Sequence, residues 1–107
     1  MEAPNGILDI SFRGLSELPD WVLQLTHLRE LIVNYNQITT IPSGISNLQK
    51  LERLVINNNQ LARVPKEIGF LTQLQNLEMR NNKVHDIKYF YFCFIVNVGR
   101  YENSQRK

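Results

Sequence analysis

Two histidines, a lone cysteine and a run of three asparagines are the side chains in this 107-residue sequence that invite a chemical role. His27 and His85 are the candidates for acid–base chemistry. Cys93 is a potential nucleophile or metal ligand. None of them has the companions such chemistry needs. The histidines share no partner pattern and read as surface residues. Cys93 lies inside "YFYFCFIV", residues 89–96, without a CxxC spacing, and reads as a buried inert thiol. No G-x-x-x-x-G-K, G-x-G-x-x-G or H-E-x-x-H occurs, so no phosphate, dinucleotide or zinc site is indicated. The acidic residues are dispersed, and no paired-carboxylate centre is located by spacing. The expectation is a protein that is not an enzyme, with no catalytic residues, no metal and no cofactor.

The asparagines remain. "NNNQLARVPKEIGFL", residues 57–71, is nearly a restatement of "NYNQITTIPSGISNL", residues 34–48. Sliding the chain by 23 residues aligns Leu8, Leu31, Leu54 and Leu77, and likewise Ile10, Val33, Ile56 and Met79. The same shift aligns Leu15, Ile38, Leu61 and Val84, and Pro19, Pro42 and Pro65. Asn36, Asn59 and Asn82 also share one register. The unit is L-x-x-L-x-[IVM]-x-x-N-x-[LIV]-x-x-[LIV]-P-x-x-[IV]-x-x-L, with starts near residues 5, 28, 51 and 74.

Each unit carries two periodicities. "LRELIVNYN" alternates, which is the pattern of a short strand with Leu31 and Val33 inward. Strands that follow the same path in every unit must pair in parallel. In the return leg Ile41, Ile45, Leu48 and Leu51 recur at steps of three and four, which suits a short helix or 3₁₀ segment. Proline stops the strand from continuing. One unit cannot bury its leucines alone, so neighbours complete the core. The Asn36, Asn59 and Asn82 amides are expected to form a ladder that serves backbone groups left unpaired by the turns.

This unit resembles the leucine-rich repeat, L-x-x-L-x-L-x-x-N-x-L, over about residues 5–88. Its length and its proline are similar to the 23-residue cytosolic class, which includes Ras-suppressor-like and erbin/scribble-like scaffold proteins. The implied fold is an α/β solenoid. It has a short curved parallel sheet on the concave face and helical, 3₁₀ or irregular return segments. The resemblance implies an intracellular signalling scaffold or adaptor, with a small GTPase or phosphatase subunit as partner.

Both ends depart from the unit. Arg13 occupies the asparagine register of the first unit and is expected to shield that end of the core. Trp21 is expected to cover apolar surface there. At the other end Lys88 replaces the proline, and the apolar run 89–96 has neither helical spacing nor alternation. Residues 1–88 thus read as the repeat domain. Residues 89–107 read either as a makeshift cap or as the foreign end of a truncated isoform or gene-model fragment without independent function.

Charge and cysteine usage narrow the setting. Residues 1–96 hold nine Lys/Arg against nine Asp/Glu, so the body lacks the basic stripe that nucleic acid requires. The beginning lacks a signal-peptide pattern, no internal disulfide is possible with one cysteine, and no apolar run approaches a membrane span. A cytoplasmic monomer that binds a protein is expected.

The non-core strand positions form columns across the units. They are Ile7, Glu30, Arg53, Asn76; then Asp9, Ile32, Val55, Glu78; then Ser11, Asn34, Asn57, Arg80; then Phe12, Tyr35, Asn58, Asn81. Ile32 and Val55 are expected as an exposed apolar centre flanked by Asp9 and Glu78, with Phe12 and Tyr35 beside it. Glu30, Arg53 and Arg80 are expected as charged contacts and Asn34 and Asn57 as polar ones. An apolar, aromatic centre with a polar rim is how protein-binding patches are built.

Overall fold

The computed structural model describes residues 3–84. The aromatic run 89–96, the basic tail, His85 and Cys93 lie outside these residues. Four strands, β1 (Ile7–Asp9), β2 (Glu30–Ile32), β3 (Arg53–Val55) and β4 (Asn76–Glu78), form one sheet in sequence order. Every pairing is parallel, and the register places Leu8, Leu31, Leu54 and Leu77 side by side. The sheet register is thus the 23-residue repeat itself. Each crossover is built from a single short 3₁₀ segment: η1 (Asp20–Gln24), η2 (Ser43–Asn47) and η3 (Lys66–Phe70).

The prolines explain where these segments begin. Pro19, Pro42 and Pro65 have φ between −64° and −72° and extended ψ, so each ends the outgoing backbone. Their carbonyls then accept the first i+3 bonds, from the Val22, Ile45 and Ile68 N–H groups. The pattern continues through Leu25, Leu48 and Leu71 to Leu28, Leu51 and Leu74, each N–H donating to the carbonyl three residues earlier. A three-residue repeat of bonds needs apolar residues at a step of three, which is how these leucines are spaced.

One core results. Leu8, Leu31, Leu54 and Leu77 from the strands and Val22, Ile45 and Ile68 from the 3₁₀ segments are all buried in one cluster. The first unit is looser, because Leu15 and Leu25 are only partly buried against the cluster. Neither expected shield at that end is buried. Arg13 is exposed, and Trp21 in η1 is 37% exposed. Among the described residues β1 pairs on one side only, with β2, so the first unit packs against one neighbour rather than two.

Leu54 is fully buried at the middle of β3, with a unit on each side. Leu54→Ala should lower stability by about 2–5 kcal/mol in a denaturant titration, as for other enclosed leucines. A loss below about 1 kcal/mol would contradict this placement.

Candidate functional site

The strands are only three residues long, but backbone bonds between units run on past them to the turn, where the Phe12, Tyr35 and Asn58 N–H groups donate to the Asn34, Asn57 and Arg80 carbonyls, and there the regular pairing is interrupted. Where it stops, one asparagine per unit takes over. Asn36 Oδ1 accepts the Arg13 and Leu15 N–H groups at 2.9 and 3.0 Å, while its Nδ2 donates to the Ile10 and Val33 carbonyls at 3.1 and 3.2 Å. Asn59 Oδ1 accepts from Ile38 N–H at 3.0 Å, and its Nδ2 donates to Val33 and Asn57 carbonyls, both at 3.0 Å. Asn82 repeats this with Leu61 N–H, Ile56 carbonyl and Arg80 carbonyl. All three amides are buried. They do not bond to one another. Each reaches back to the preceding unit, so the amide joins units as well as closing its own turn.

A second polar ladder runs along the open face of the sheet. Ser11 Oγ accepts Asn34 N–H at 3.0 Å, Asn34 Oδ1 accepts Asn57 N–H at 2.8 Å, and Asn57 Oδ1 accepts Arg80 N–H at 2.7 Å. The column expected to hold contact residues therefore spends its acceptors on the next unit's backbone. Asn34 and Asn57 are half-buried, and the Asn57 amide also donates to Glu78 Oε1 at 3.4 Å. Alternation alone assigned these residues to the face. It does not reveal that a short side chain two residues past a strand end sits beside an N–H of the next unit that the strand pairing leaves over.

The charges on the C-terminal half of the face are likewise engaged within the chain. Arg53 lies 3.7 Å from Glu30 and 3.2 Å from Glu78, and Arg80 lies 3.9 Å from Glu78. Arg53, expected to meet carboxylates of a partner, is already held between two of its own. The apolar centre also changes. Val55 is 3% exposed and thus not a contact surface. It sits in register between Ile32 and Glu78, and its short branched side chain lies lower than the longer chains around it. Ile32, in register with Asp9, stays half-buried.

What remains open is the N-terminal half. Ile7 and Asp9 of β1 are exposed, and Phe12 and Tyr35 are 74% and 53% exposed. The two rings stack at 4.6 Å between centroids, 7° from parallel. Their backbones are unusual. Phe12, Tyr35, Asn58 and Asn81 all have φ between 55° and 59°, one left-handed residue per unit. Asparagine adopts this region readily, whereas a bulky side chain strains it. The third and fourth units hold the residue this backbone favours. The first two hold exposed aromatics instead. A column that alternated between Phe, Tyr and Asn signalled a shared position in the sequence but not its dihedral angle.

Among the described residues, no three His, Cys, Asp or Glu side chains gather where they could hold a metal ion. No helix among them is long and apolar enough to cross a membrane. His27 is exposed, with Nε2 2.8 Å from the Ala3 carbonyl.

Comparison with known proteins agrees with this geometry. The family described as "Leucine-rich repeat region" matches residues 6–90. Among 34 matching solved chains is a leucine-rich repeat protein of Leptospira interrogans, at 33% identity and a TM-score of 0.54. The match covers 72% of this chain but only 26% of that one, so this chain corresponds to about a quarter of its length. No curated protein matches.

Two stability measurements test the ladders and the strained column. Asn59→Ala would leave the Ile38 N–H without its acceptor and take one of two donors from each of the Val33 and Asn57 carbonyls, and should cost about 2–3 kcal/mol, more than Asn57→Ala at about 1 kcal/mol. Equal losses in urea titrations would mean that the buried amide is no more important than the surface one. Phe12→Asn or Tyr35→Asn relieves about 1–2 kcal/mol of backbone strain and forfeits about 0.5–1.5 kcal/mol of stacking, so each single change should be near neutral. The double variant relieves strain twice and loses one stack, and should be about 2 kcal/mol more stable than the parent. A less stable double variant would show that the rings hold the fold together.

Proposed function

The chain belongs to the leucine-rich repeat family, and on that premise we propose that it is a non-catalytic module that binds a protein partner through the N-terminal half of its open, concave face. The observation that carries this reading is the Phe12–Tyr35 stack. Two large rings are exposed side by side on backbone positions where asparagine would cost less. Strain retained at an exposed aromatic pair is intelligible if the rings meet something outside the chain. Ile7, Asp9 and Ile32 extend the same patch. Exposed aromatic anchors beside apolar and charged side chains are the residue types that dominate binding energy at protein interfaces.

The remaining expected contacts take supporting roles. Arg53, Asn57, Glu78 and Arg80 hold one another and the backbone. Such pre-formed networks keep a surface rigid, which lowers the entropy lost on binding. The finer reading is a cytoplasmic scaffold or adaptor in signalling, with a small GTPase or a phosphatase subunit as partner. It is supported by the likeness of the 23-residue unit to Ras-suppressor-like and erbin/scribble-like repeats.

Site-specific photo-cross-linking in cells that express the chain tests the face directly. A benzophenone side chain at Tyr35 should trap a protein partner, and one at Phe70, exposed on the 3₁₀ side, should not. Ile32→Glu should abolish the Tyr35 adduct while leaving the thermal melt within a few degrees. Cross-links from position 70 that match or exceed those from position 35 would move the interface off this face.

A further inference from the structure

We propose that Phe12 and Asp9 together receive an arginine side chain from an extended segment of the partner protein. This rests on the protein-binding reading of the same face and names the chemistry it selects. Three observations converge. The first is the ring. Phe12 is covered on one side by Tyr35, yet it is 74% exposed. Among the described residues Tyr35 is the ring stacked on it, and no ring contact is made on its other face. A guanidinium is planar, weakly hydrated and attracted to such a face.

The second is the carboxylate. Asp9 lies three residues before Phe12 and is exposed. Its Oδ1 accepts the Ser11 N–H at 3.0 Å, which fixes the side chain. Among the described residues it makes no ion pair, whereas Glu30, Glu52 and Glu78 all do. Arg13 is the nearest cation in sequence, and it is exposed without bridging to Asp9. An oriented, exposed carboxylate three residues from an exposed aromatic ring offers both groups that arginine uses, since it forms directed bonds to carboxylates and stacks on rings.

The third is the field. The first unit carries Asp9, Glu17 and Asp20 against Arg13 alone. The third unit carries Arg53, Arg63 and Lys66 against Glu52 and Glu67. The molecule is therefore acidic at the end where the stack is open and basic further along. A cationic segment is drawn to the first unit and an acidic one is not. Ile7, exposed on the same strand as Asp9, offers apolar contact to the residue next to the arginine.

The test is selection of a random linear dodecapeptide library on phage against the whole 107-residue chain, followed by affinity measurement on the synthetic winners. Two variants isolate the two groups. Phe12→Asn installs the residue that the same backbone already carries at Asn58 and Asn81, so folding is retained. Asp9→Asn keeps an oxygen for the Ser11 N–H and removes only the charge. The winners should share an arginine beside an apolar residue, bind about tenfold more weakly to each variant, and weaken further as salt is raised. Winners without a cation that still lose affinity on Phe12→Asn would overturn the arginine and leave the face intact. Winners indifferent to both variants, or no winners at all, would overturn the face as well.

Discussion

Strands of three residues leave backbone groups over at their ends, and everything else in this chain follows from how those groups are satisfied. A buried N–H or C=O without a partner costs about 1–3 kcal/mol, and a solenoid generates such groups once per unit. Asn36, Asn59 and Asn82 answer with one amide each, which accepts and donates at the same time. Because the bonded groups belong in part to the preceding unit, the amide ties neighbouring units together at the turn, between the backbone bonds that flank it on either side. The leucines supply the apolar burial. The amides fix the distance and register at which that burial occurs.

The same constraint shapes the open face. One column further out, Ser11, Asn34 and Asn57 spend their oxygens on the N–H groups of the next unit. With Glu30, Arg53, Glu78 and Arg80 paired above them, the C-terminal half of the face is largely occupied by its own bonds. The N-terminal half is not. There the left-handed column holds Phe12 and Tyr35 in place of asparagine, and Asp9 has no counter-ion among the described residues. The face is thus divided into a rigid, self-satisfied part and a part whose strain and exposure point outward.

The solenoid was legible in the sequence because its period is carried by residues with one environment each. Leu31, Leu54 and Leu77 are always inside, Pro42 and Pro65 always precede a turn, and Asn59 and Asn82 are always buried. The face was less legible. Alternation says which side of the sheet a residue occupies but not how far it protrudes, so Val55 read as exposed when longer neighbours enclose it. Nor does it say what a polar side chain bonds to. Asn34 and Asn57 looked like contacts and proved to be ladder rungs. The left-handed angle at Phe12 and Tyr35 belongs to a position they share with Asn58 and Asn81, and it is a property of the folded backbone that no residue type in the column spells out.

The most direct measurement of the central constraint is native-state hydrogen exchange on the whole chain, read residue by residue. The Ile38 and Leu61 N–H groups donate to the Asn59 and Asn82 side chains and to no strand. If the amides join the units, these two protons should exchange only through global unfolding, as slowly as the most protected strand amides. Exchange at the rate of exposed turn amides, with the strands still protected, would show that apolar packing and strand pairing hold the units without the amides.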